Sequence, residues 1–169
     1  MIRVPAKQIR EQLVSVLRAW GMAEAHADTT AEMMLETDLR GVDSHGISML
    51  PTYDREFRSG RLNMRPVFKT VREGPAVALI DADASLGHPV SVHAMNLAVD
   101  KCRETGVQVI DVLHNAKPAD PAQPVLGAGD SEMATRSERL QHGVPVPDDL
   151  MDQLRAVAKS AGVPFVLAR

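Results

Sequence analysis

A single cysteine, Cys102, stands in 169 residues, so no internal disulfide can form, and that usage fits a reducing compartment. No apolar run approaches the roughly 18 residues that a membrane span requires, and the first residues lack the apolar core of a secretion signal. The formal net charge is −3 with basic residues scattered rather than striped, which leaves no electrostatic footprint for nucleic acid. These absences point to a cytoplasmic protein that has neither nucleic acid nor membrane as a partner.

What is present is an ordinary globular composition, 44% hydrophobic and 24% charged. The length suits one domain, enough to bury about two-thirds of its unfolded surface. Ile9, Leu13, Val16, Leu17 and Trp20 share one face of a helix predicted over residues 5 to 20, with Gly21 ending it. Trp20, the only tryptophan, is expected to pack where this helix meets the rest. A second helix is predicted from about Ala23 to Arg40, with His26 on its polar side. Its face of Ala27, Ala31 and Met34 runs on to Asp38, where an aliphatic residue would be expected. A carboxylate there needs a partner, from Arg40 or the following turn, unless it snorkels at the helix end.

That turn, Gly41-Val42-Asp43-Ser44-His45-Gly46, is the candidate site. Gly41 suits the left-handed close of a helix, and Gly46 lets another group come near. His45 can both take and give a proton near neutral pH. The competing structural reading has Asp43 or Ser44 capping free amides and His45 bonding a backbone carbonyl. Pro51 places the next helix start near Ser48, and free amides at that end would welcome a carboxylate or phosphate.

Further on, short strands are predicted at 68–73 and 76–81 around a Gly74-Pro75 turn, then a helix over 89–105 with Ala94, Leu97, Ala98 and Cys102 on one face, capped by Gly106. Val107–Val112 reads as a buried strand. His88 and His93 lie on different faces, so no shared metal ion is expected. Helices follow at Ser131–Gln141 and Pro147–Ser160, the latter with Leu150, Leu154, Val157, Ala158 and Ala161 as its apolar stripe. Gly127-x-Gly129 lacks the third glycine and the strand–turn–helix setting of a dinucleotide fingerprint.

The run Arg40-Gly41-Val42-Asp43-Ser44-His45-Gly46 resembles the signature of the malate/L-lactate dehydrogenase family, the non-Rossmann NAD(P)-dependent 2-hydroxyacid and imino-acid oxidoreductases that include ureidoglycolate dehydrogenase. Leu50-Pro51, Tyr53, Gly60, Leu79-Ile80-Asp81, Leu86-Gly87-His88, Ala94-Met95 and Gly106 follow at the family's spacing. The resemblance implies NAD or NADP as cofactor, a small 2-hydroxy or 2-oxo acid as substrate, His45 as the catalytic base, and Ser44 and Tyr53 as substrate-binding residues. It implies a homodimer, or pairing with a full-length relative.

The chain departs from the family in two places. The family's arginine four residues after the histidine is Met49, and a thioether cannot pair with a carboxylate; Arg40, Arg55 and Lys117 are the nearest remaining cations. Leu113-His114-Asn115-Ala116-Lys117 replaces the family's Asn-His-Phe-Gly-like loop, with Lys117 at the place of its histidine. The family's large central domain, which supplies most of the cofactor pocket, is absent. Instead residues 1–116 resemble the N-terminal region, 117–124 read as a linker, and 125–169 resemble the C-terminal helical region, all within one domain over 1–169. The expectation is an α+β fold, a helical layer from N- and C-terminal helices beside a small sheet. The C-terminal helix is expected to pack on the first two helices. Functionally, an oxidoreductase of this family stands against a non-catalytic helical binding or dimerisation module derived from it.

Overall fold

The computed structural model describes residues 2–105 and 130–167. Among them the chain forms β1 (Ile2–Val4), α1 (Ala6–Ala19), α2 (Glu24–Leu39), a 3₁₀ turn (Ile47–Met49), α3 (Leu50–Arg58), β2 (Lys69–Gly74), β3 (Val77–Asp81), α4 (Gly87–Thr105), α5 (Asp130–His142), β4 (Val144–Val146) and α6 (Asp148–Ala161). This is an α+β fold with two two-stranded antiparallel sheets, β1–β4 and β2–β3. No helix among the described residues is long and apolar enough to cross a membrane.

α1 buries Ile9, Leu13, Val16 and Leu17, and Trp20 at its end stacks on Phe57 of α3 with ring centroids 5.2 Å apart. Tryptophan here is a packing residue. Gln12 is buried beside the apolar stripe of α1 because both ends of its amide are used. Nε2 donates to the Pro164 carbonyl at 3.2 Å, and the Val166 amide donates to Oε1 at 2.8 Å. Arg10 joins α1 to α2 through Asp28 and Glu32.

α6 buries Met151, Leu154, Val157 and Ala158, with Leu150 and Ala161 half-buried. It packs on α1 and α3, where α1 and α2 were expected. α2 is met by α1, α4 and α5 instead, since the turn after α2 folds α3 back against the α6 side.

The expected hairpin is present, with Pro75-Ala76 as its turn, because Gly74 pairs with Val77 inside the ladder. α4 begins at Gly87, two residues earlier than predicted. Its face of Ala94, Leu97, Ala98 and Cys102 is half-buried or exposed and lines an open groove of about 320 Å³ with Ala78 and Ile80 of β3. In the hairpin Val77, which also lines this groove, and Leu79 are 67% and 59% exposed. The sheet β1–β4 had no expectation from sequence; it pairs Ile2 with Val146 and Val4 with Val144. His26, expected on a solvent-facing side, is half-buried and stacks on Phe68 at 5.3 Å. Gly106, the strand at Val107–Val112, Gly127-x-Gly129 and the 117–124 linker lie outside the described residues.

Candidate active site

α2 ends at Leu39, and Gly41 takes φ +85° to turn the chain, a conformation that costs glycine no side-chain clash. The segment from Val42 to Gly46 has little hydrogen bonding of its own: the His45 amide donates to the Val42 carbonyl at 3.1 Å. It is held from outside, on two sides.

The inner hold is Asp38. It sits on the apolar face of α2 with Ala31 and Met34, is only 2% exposed, and its Oδ2 accepts the Ile47 amide at 2.8 Å. The carboxylate therefore caps the 3₁₀ turn from nine residues upstream, and the snorkelling reading is overturned. It also occupies the amide that the sequence offered to an incoming anion. Burial pushes the Asp38 carboxyl up to about 7, with the Ile47 bond and the Arg139 charge opposing and Asp43 adding to the rise. Gly46 makes this approach possible, since a Cβ there would lie 1.7 Å from Asp38 Oδ1.

The outer hold is Arg139 on α5. Its guanidinium donates to both carboxylate oxygens of Asp43 and, at 2.5 Å, to the backbone carbonyl of Asp38. Ser48 Oγ donates to the Asp43 carbonyl at 2.5 Å. The Asp43 bond holds the Arg139 side chain, 11% exposed, still more firmly in its charged form. Among the described residues no bond runs from the Asp43 or Ser44 side chain to a helix amide, and Gly46 and Met49, which precede the two helical turns, supply no side-chain cap.

On this frame Ser44 and His45 are exposed side by side, with Ser44 Oγ 2.8 Å from His45 Nδ1. His45 Nε2 has no hydrogen bond among the described residues. Tyr53 is half-buried on α3, burial raises its phenol, and its ring meets His88 edge-on at 6.0 Å. No hydrogen bond or ring contact joins Tyr53 to Ser44 or His45 among the described residues. Burial pushes the His88 imidazole down, and its Nδ1 is buried without a partner among the described residues. His93 packs against Phe68, so the two histidines keep different neighbours.

The cations named from sequence are engaged or out of view. Arg40 bonds Glu36 at 3.2 Å, Arg55 bonds Thr52 Oγ1 at 2.9 Å, and Lys117 lies outside the described residues. Met49 packs against the core. Arg139 was missed: it stands 96 residues from Asp43, and no local pattern marks it. A hollow of about 350 Å³ adjoins the turn at Val42, but Glu36, Arg40 and Glu132 line it, and Arg136 already holds Glu36 in a charged pair that keeps its carboxyl below the usual range. Neither this hollow nor the β3–α4 groove includes Ser44, His45 or Tyr53. A nicotinamide ring needs a largely apolar slot beside the proton-transfer group, and neither of these two hollows is lined by His45.

The family profile described as malate/L-lactate dehydrogenase matches residues 4–112. The malate dehydrogenase of Pyrococcus abyssi is 38% identical over 111 residues, 66% of this chain and 31% of that protein. The L-sulfolactate dehydrogenase of Methanocaldococcus jannaschii is 38% identical over 110 residues, 65% and 32% respectively. The chain thus matches about a third of the length of these curated relatives. Among solved structures, Pyrococcus horikoshii malate dehydrogenase aligns at 41% identity and TM-score 0.59, over 62% of this chain and 30% of that one. The M. jannaschii sulfolactate dehydrogenase superposes with TM-score 0.81 at 15% identity, across 97% of this chain and 98% of that one.

Proposed function

The chain belongs to the malate/L-lactate dehydrogenase family, and from that premise we propose that it carries the proton-transfer half of an NAD- or NADP-dependent oxidoreductase site for a small 2-hydroxy or 2-oxo acid. The observation behind this reading is the exposed Ser44–His45 pair. When His45 Nδ1–H donates to Ser44 Oγ, the lone pair is left on Nε2, where it can take the proton of a substrate hydroxyl. In the reverse direction the imidazolium returns that proton to a carbonyl oxygen. The Ser44 hydroxyl hydrogen stays free to hold a second substrate oxygen. Tyr53 enters the site only by resemblance to the family.

Neither hollow of the described residues is lined by His45, so the hydride step is left to a cofactor pocket outside this reading. The reading takes residues 1–116 and 125–169 as two ends of the family architecture joined at 117–124. One comparison supports this. The M. jannaschii relative, of whose length 110 residues are 32%, superposes across 98% of its chain with 97% of this one.

The test is complementation. The chain is mixed with the separately produced middle stretch of P. horikoshii malate dehydrogenase, and oxidation of NADH or NADPH is followed with a panel of 2-oxo acids. Turnover should require both pieces and fall by about 10²–10⁴ in His45→Ala, the usual size of a general-acid–base contribution. No turnover from a mixture in which both pieces are folded overturns the reading. Turnover by the chain alone would show a whole site where half is proposed.

A further inference from the structure

We propose that Asp38 and Arg139 are positioning residues that fix the His45 turn from its two sides, Asp38 through the Ile47 amide and Arg139 through the Asp43 carboxylate, so that helix α5 sets how His45 is presented. The inference rests on the reading of His45 as the proton-transfer group.

The geometry carries it. Ser44 and His45 lie between two anchors, Asp43 in front and Ile47 behind, and each anchor is tied to a side chain with little solvent around it. Arg139 also bonds the Asp38 carbonyl, so one guanidinium pins the end of α2 and the start of the turn together. An irregular loop with one internal backbone bond would otherwise sample many orientations, and a base must meet its substrate proton within hydrogen-bond reach. The pair Arg139–Asp43 is bidentate and partly desolvated, the arrangement in which arginine fixes direction as well as distance. Asp38 occupies a position on an apolar face that an aliphatic residue would fill at less cost, and what the carboxylate adds is the bond to Ile47.

Arg139 is not the sole tie of α5 among the described residues. Arg136 grips Glu36 of α2 through three contacts of 2.6–3.0 Å, and Arg3 of β1 reaches Glu138 at 2.6 Å. Loss of Arg139 should therefore loosen the turn and leave the helix in place.

The test uses the full chain labelled with ¹⁵N, with the His45 ring signals assigned by their loss in His45→Ala. The parent should show His45 mainly as the Nδ1–H tautomer. In Arg139→Met the ring signals should move toward the mixture of free imidazole, and the His45 amide should exchange at least tenfold faster, while the Leu13 and Leu17 amides keep their protection. Arg139→Lys should recover part of the change. Asp38→Leu should expose the Ile47 amide, whereas Asp38→Asn keeps an acceptor and should protect it. Unchanged His45 signals in Arg139→Met overturn the proposal, and so does faster exchange that Leu13 and Leu17 share. Ring signals that move in a chain giving no turnover on complementation would support the positioning and reject the function; turnover with unmoved signals would do the opposite.

Discussion

Asp38 is buried on the core side of α2, and its carboxyl titrates near 7 because burial outweighs the Ile47 bond and the charge of Arg139. In the unfolded chain the same group titrates near 3.8. Between those values the folded state keeps a proton that the unfolded state has released. The contribution of Asp38 to stability is therefore full below about pH 4 and is lost as pH rises through 7, on the order of 4 kcal/mol between the limits. Glu36, lowered by Arg136, acts with the opposite sign at lower pH. Asp38→Asn removes only the first effect. Denaturant unfolding from pH 4 to 8 should show the parent losing stability relative to Asp38→Asn as pH rises, and parallel curves would refute the assignment. Gly46→Ala makes a steric test of the same contact. Its Cβ would fall on the Asp38 carboxylate, so a loss of about 1–3 kcal/mol is expected in urea unfolding, and less in an Asp38→Ala background. Residue chemistry was legible from sequence where it was local. The Ser44–His45 pair and the anomaly at Asp38 both stand within one turn of chain. Arg139 was not legible, because the carboxylate it holds is near only in the fold.

Among the elements, α1, α2 and α6 followed from apolar periodicity, since a buried stripe recurs along three or four helical turns. Periodicity shows that a face is covered but not what covers it, which is why α6 was assigned to α2 when it lies on α3. The strands β1 and β4 were beyond reach for another reason. Three residues show no alternation, and Pro145 in the middle of β4 argues against a strand unless it lies at an edge, as it does in this two-stranded ladder. The α4 face was legible as apolar but not as uncovered, because exposure depends on what other elements fail to reach it. The weight of α6 can be measured. Leu154 is fully buried between α6 and its neighbours, so Leu154→Ala should cost about 2–5 kcal/mol, with Leu150→Ala, at a half-buried position, costing less. Equal losses at both positions would show that the helix packs differently.

At the scale of the whole molecule, the two ends of the chain make one core and share their polar ties. Val4, Leu13 and Leu17 from the first part are buried in the same cluster as Val144, Val146, Leu154 and Val157 from the last. Gln12 binds Pro164 and Val166, Arg136 binds Glu36, Arg139 binds Asp43, and β1 pairs with β4. Nothing in this network needs a covalent link between the parts: the ties just named run from residues 2–43 to residues 136–166. A host that closes on itself when an inserted domain is missing should have this property, because the insertion points lie close together. A protease site placed within Lys117–Pro124 and cut after folding should therefore leave two fragments that migrate together and melt in a single transition. The Arg139–Asp43 tie should survive the cut, so the His45 ring signals should match those of the intact chain. Fragments that separate under native conditions, or a cut chain with two transitions, would mean that the parts are held together by the chain between them and not by the core they share.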